Sequence, residues 1–185
     1  MGFDVYGMNP NITTPEPDLP PMMERTSEHW EAYNKWQDEN CGVYFRNNVW
    51  WWRPLWMFVS KACSEILTDK DIEGGSWNDG HKISKTKASK IAKELFRLIE
   101  TDQVKAYESM YKKDLDSLEQ KDCDICDATG RRKEPPIPGA GDYMECNSCN
   151  GTGKVDDWAK SYPFSEDNVR EFANFCANSG GFRIC

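Results

Sequence analysis

Apolar residues recur at helical spacing in several stretches of the chain. Leu55, Phe58, Val59, Ala62, Ile66 and Leu67 form one series. Pro54 stands at its head, as the first residue of a helix, where a missing N–H costs nothing. Ala88, Ile91, Ala92, Leu95, Leu98 and Ile99 form a second series, with Ser84 placed to cap it. Val104, Tyr107, Tyr111, Leu115 and Leu118 mark a third, from about Gln103 to Leu118. Val169, Phe172, Ala173 and Cys176 mark a last helix, capped by Ser165 and stopped by Gly180-Gly181. A shorter helix capped by Ser27 carries Trp30, Tyr33 and Trp36 and breaks at Gly42, and Gly74-Gly75 reads as loop. Rough alternation in Phe3, Val5 and Tyr6 predicts a strand, as do Val43-Tyr44-Phe45 and Phe182-Arg183-Ile184. Between the first strand and the first helix, five prolines from Pro10 to Pro21 predict an extended arm over 9–21.

Residues 121–156 lack this periodicity and carry instead two matched pairs, Cys123-Asp-Ile-Cys126 and Cys146-Asn-Ser-Cys149. Two residues between sulfurs let both thiolates of a pair face one centre. Two such pairs at this separation complete a closed tetrahedral site, so one structural Zn2+ held by Cys123, Cys126, Cys146 and Cys149 is expected. Iron–sulfur ligation and a redox Cys-x-x-Cys are the alternatives; no thioredoxin-like pattern surrounds either pair. The expected fold class is therefore α+β: a helix-rich domain with short strands, 1–120 plus 157–185, and a zinc-ribbon insertion, 121–156.

Each pair continues into glycines, as Cys126-Asp-Ala-Thr-Gly130 and Cys149-Asn-Gly-Thr-Gly153. The Cys-x-x-Cys-x-Gly-x-Gly repeat resembles the DnaJ-type cysteine-rich zinc finger. Cys146 to Gly153 matches it fully, and Cys123 to Gly130 departs at Ala128. With two repeats rather than four, the segment looks more like the single-zinc form in the anti-TRAP inhibitor. The His-Pro-Asp tripeptide of a J-domain is absent, so co-chaperone activity does not follow. The resemblance implies a module that contacts proteins or builds oligomers, and so admits a homo-oligomer. The opening and closing segments and the Tyr44 to Leu55 block resemble those of small proteins of bacteriophage and bacterial genomes. This similarity carries no activity; a phage origin favours a protein that binds a host component.

Charge narrows the partners. A formal net charge of -8 repels nucleic acid at long range, which disfavours duplex nucleic acid as a ligand. No apolar run reaches the roughly 18–20 residues that span a bilayer, and the opening residues lack the features of an export signal. With its paired cysteines the chain reads as cytoplasmic.

The least ordinary stretch is Val49-Trp50-Trp51-Trp52-Arg53-Pro54. Three adjacent tryptophans cannot all face one core, so at least one should lie at a surface or groove, where Arg53 beside it can hold an anion while the ring stacks a base. The competing reading is a core anchor at a strand-to-helix junction. Trp77-Asn78-Asp79-Gly80-His81 is a turn by composition. A catalytic reading pairs Asp79 with His81 as acid and base; the other reading is a plain polar turn. Lys82, Lys85, Lys90, Lys93 and Arg97 form a basic face on the second long helix, either solvated or gripping an anion.

These readings combine into a zinc-stabilised cytoplasmic binding protein whose partner is a host protein or a small anionic nucleotide. The expected ligand-binding residues are Trp50, Trp51, Trp52, Arg53, Asn78, Asp79 and His81, bordering one cleft. The alternative is a small hydrolase or nuclease using Asp79, His81 and nearby basic residues. Against catalysis, the one well-formed metal site is all-cysteine and closed, with no position for water.

Overall fold

The computed structural model describes residues 2–134 and 142–185; residues 135–141, part of the spacer between the cysteine pairs, lie outside the described residues. Element order is β1 (Gly2–Gly7), α1 (Ser27–Glu39), β2 (Tyr44–Asn48), α2 (Val49–Ala62), α3 (Asp69–Gly74), β3 (His81–Ile83), α4 (Lys85–Glu100), α5 (Gln103–Asp116), β4 (Lys121–Asp122), β5 (Lys154–Val155), α6 (Glu166–Asn178) and β6 (Phe182–Ile184). The chain is an α+β protein of helices and short antiparallel strands. It divides into two compact units, Met1–Ser109 with Pro163–Cys185, and Met110–Tyr162. No helix among the described residues is long and apolar enough to cross a membrane.

In the first unit a four-stranded sheet has the order β2-β1-β6-β3, every pair antiparallel. Val5 sits opposite both Phe45 and Ile184, and Ile83 sits opposite Phe182. Strand alternation sends these side chains to one face, where all are buried. Above them lie the apolar stripes of α4 (Ala88, Ile91, Ala92, Leu95) and α6 (Val169, Phe172, Ala173, Cys176). Phe172 ties the layers together, with ring centroids 5.2 Å from Phe45, 5.7 Å from Phe182 and 5.7 Å from Trp52. The proline-rich segment is fastened at its middle: Trp36 Nε1 donates to the Thr14 carbonyl (2.9 Å), and the buried Asn40 Oδ1 accepts from the Thr13 amide (2.7 Å).

Four local expectations change. Helix α2 begins five residues before Pro54, because the Asn48 side chain accepts from the Trp50 and Trp51 amides and caps it there. Pro54 therefore lies inside the helix, buried, and the whole tryptophan run is helical. The first helix is capped by Thr26 rather than Ser27; the Thr26 amide donates to His29 Nδ1 (3.0 Å). Gly74 ends a six-residue helix, α3, that is too short to show periodicity; Thr68 and Asp71 close its first turn as a capping box. Lys82 belongs to β3, so the basic face of α4 starts at Lys85, and Arg97 on that face is paired with Glu94 (2.6 Å).

Candidate functional site

The second unit is organised around four sulfurs. Cys123, Cys126, Cys146 and Cys149 are each at least 95% buried, and their Sγ atoms all lie within 4.8 Å of one another. Cys123 Sγ is 3.9 Å from Cys146 Sγ, and Cys126 Sγ is 3.7 Å from Cys149 Sγ. Thiolates at about 2.3 Å from a central tetrahedral ion stand about 3.8 Å from each other, so the spacing is that of a coordination shell. It is far longer than the bond of a disulfide, about 2.0 Å.

Each half of the site is built by the same turn. The Ala128 and Gly151 amides donate to the carbonyls of Cys123 (3.0 Å) and Cys146 (3.3 Å). The Thr129 and Thr152 hydroxyls donate to the carbonyls of Cys126 and Cys149, both at 2.6 Å. The turn then reverses through positive φ, so that the amides of Gly130 and Gly153 each point at a sulfur, Cys126 Sγ and Cys149 Sγ, at 3.3 Å. The halves are laced together by the Cys123 amide on the Gly153 carbonyl (2.9 Å) and the Cys146 amide on the Gly130 carbonyl (2.8 Å). Burial, and after it the neighbouring thiols of Cys123, Cys149 and Cys146, push the Cys126 thiol up to about 11 against the Gly130 amide, which lowers it. A bound cation reverses that balance by taking up the negative charge. Four buried cysteines are thus placed to hold one metal ion. Outside them little of the unit's described part is buried, and Val155 packs against the cluster.

In the first unit the tryptophan run divides. Trp52 is fully buried, stacked between Phe3 (5.2 Å, 16°) and Trp56 (5.6 Å, 8°), and its Nε1 donates to the Gly75 carbonyl (2.8 Å). Trp50 and Trp51 are half-buried. Arg53 faces out, at the mouth of a cleft of about 600 Å³. Arg53, Met57, Ser60 and Lys61 line it from one stripe of α2, at spacings of four, seven and eight residues. Trp52 and Trp56 also border it, and Ile72, Ser76 and Trp77 close the far side. Trp77 is 58% exposed.

Of the expected ligand-binding residues, Trp52 and Arg53 therefore share a cleft with Trp77. Trp50, Trp51, Asn78, Asp79 and His81 are not among its lining residues. Asn78 donates through Nδ2 to the Gly2 carbonyl (3.3 Å), and Asp79 is exposed. His81 turns inward, where its Nε2 meets Asp71 Oδ1 at 3.1 Å. Asp71 is buried and also accepts from Lys87 Nζ and from the Thr68 amide (2.9 Å) and hydroxyl (2.6 Å). Burial works to raise its pKa, but the bonds from Lys87, Thr68 and His81 outweigh burial and hold the carboxyl well below its ordinary range. His81 belongs to this latch between α3, β3 and α4.

The cleft residues outside the expected ligand-binding set are Trp56, Met57, Ser60, Lys61, Ile72, Ser76 and Trp77. Had α2 been started at Asn48, its spacing would have placed Met57, Ser60 and Lys61 on the face of Arg53. No family model, curated protein or solved structure matches the chain. The likeness to the DnaJ-type finger accordingly rests on the sequence repeat alone.

Proposed function

We propose that this chain is a zinc-stapled, non-catalytic binding protein, and that the cleft along α2 receives a small anionic nucleotide. Zinc fits the donor set best: four thiolates, a closed shell and no position for substrate or water describe a structural zinc site. The observation that carries the ligand reading is the convergence of Arg53, Lys61 and Trp77 around one cleft with apolar walls. Its volume falls in the range of small-ligand sites. Arg53 offers two parallel donors to a phosphate, Lys61 a second positive charge, and Trp77 an exposed ring on which a base can stack. These charges are local, so they act despite the acidic chain.

A host protein as partner has separate support in the second unit, where Ile125 is 65% and Trp158 66% exposed. Hydrolysis is the weaker reading, because His81 is engaged with Asp71 rather than with Asp79.

The test is a titration of the metal-replete chain with AMP, ADP and ATP, followed by tryptophan fluorescence. Saturable quenching is expected. Arg53→Ala should weaken it about tenfold, the worth of a charge-assisted hydrogen bond, while the melting temperature stays nearly unchanged because Arg53 is exposed. Absence of saturable binding, or an Arg53→Ala variant that loses stability and keeps affinity, contradicts the reading.

A further inference from the structure

Lys61 borders two cavities. Beyond the cleft already described, it lines a second of about 350 Å³, walled by Phe58, Leu98 and Tyr107, with Ala62 and Gln103 also lining it. Both belong to the first unit. One lysine thus stands between a space faced by Trp56 and Trp77 and a space faced by Phe58 and Tyr107. Beside it on α2, Ser60 lines the first cavity, and its Oγ is buried with no hydrogen-bond partner among the described residues. Buried hydroxyls are nearly always paired. Here rotation about χ1 breaks no hydrogen bond, so the hydroxyl is uncommitted.

We propose that the ligand of this site is a dinucleotide. The inference rests on the reading of the cleft as a nucleotide site and specifies its substrate class. One base stacks in the tryptophan-lined cavity, the internucleotide phosphate meets Lys61 and the Ser60 hydroxyl, and the second base fills the cavity of Phe58 and Tyr107. Arg53 lies two helical turns from Lys61, about 12 Å along the axis, where it can take a terminal phosphate. Glu94 also lines the second cavity, but Arg97 holds its carboxylate through two hydrogen bonds (2.6 and 2.9 Å), so its charge is offset locally. A mononucleotide leaves one cavity to water. A duplex keeps its bases stacked on one another and cannot offer them separately.

Calorimetric titration of the full, metal-replete chain with AMP and with 5′-phosphorylated diadenylate (pApA) tests this. The expected result is that pApA binds at least tenfold tighter than AMP. Ala62→Trp and Gln103→Trp each narrow the second cavity; Gln103 is exposed, so the second variant keeps the test independent of core packing. Either change should bring pApA to the affinity of AMP and leave AMP unchanged, and Lys61→Met should weaken pApA. Equal affinity for the two probes, or tryptophan variants that alter both or neither, overturns the dinucleotide assignment while the nucleotide cleft stands. Heat from neither probe overturns the cleft reading, and this assignment with it.

Discussion

Cys126 Sγ lies 3.7 Å from Cys149 Sγ, although 23 residues separate them in the chain. Two equivalent turns produce that approach, each ending in a glycine whose amide points at the second sulfur of its pair. A segment whose described residues form almost no apolar core is thereby given a centre. The proposed zinc supplies the folding free energy that burial cannot supply there.

The turns also explain the glycines. A Cβ on Gly130 would lie 2.2 Å from the Gly151 carbonyl oxygen, and one on Gly153 would lie 2.2 Å from that of Ala128. Both have positive φ. Gly153→Ala is therefore expected to weaken metal retention sharply, measured by competition with a chelator. Ala128 holds φ 60° at the position where the other half has Gly151. Left-handed backbone costs a non-glycine residue about 1–2 kcal/mol, part of which glycine's greater freedom in the unfolded chain offsets. Ala128→Gly should thus strengthen retention, by up to about 1 kcal/mol.

Cys146→Ser removes one ligand of the proposed ion. Proteolysis of this variant should speed up within 110–162, while the remainder keeps a cooperative thermal transition, because the sheet with α2, α4 and α6 has its own buried core. Cooperative collapse of the whole chain would show that the cysteine segment is part of the main core.

Asp71 gives the fold a dependence on acid. Its folded pKa is depressed, so its stabilisation is present above the unfolded value near 4 and is lost as pH falls through the lower folded value. Asp71→Asn should cost about 2 kcal/mol at neutral pH, the worth of hydrogen bonds to a charged group. The difference between variant and parent should shrink as the pH is lowered below 4, in urea unfolding followed by circular dichroism.

Much of this architecture was legible in the chain because it repeats a short rule. The stripe from Ala88 to Ile99 and the doubled cysteine pairs declare themselves by spacing alone. The cleft did not, because its outline depends on where α2 begins. Pro54 is a strong local signal for a helix start, but Asn48 caps two tryptophan amides and wins. The burial of Trp52 depends on Phe3, 49 positions earlier, and the engagement of His81 depends on the six-residue helix that presents Asp71. Such pairings follow from tertiary packing and leave no period to read.

The most direct measurement is the metal content of the purified chain by mass spectrometry, with thiols counted before and after chelation. One zinc per chain, no iron, and four thiols that become reactive together when the metal is withdrawn are expected. Two equivalents, or none after metal-replete purification, or iron in place of zinc, would contradict this expectation.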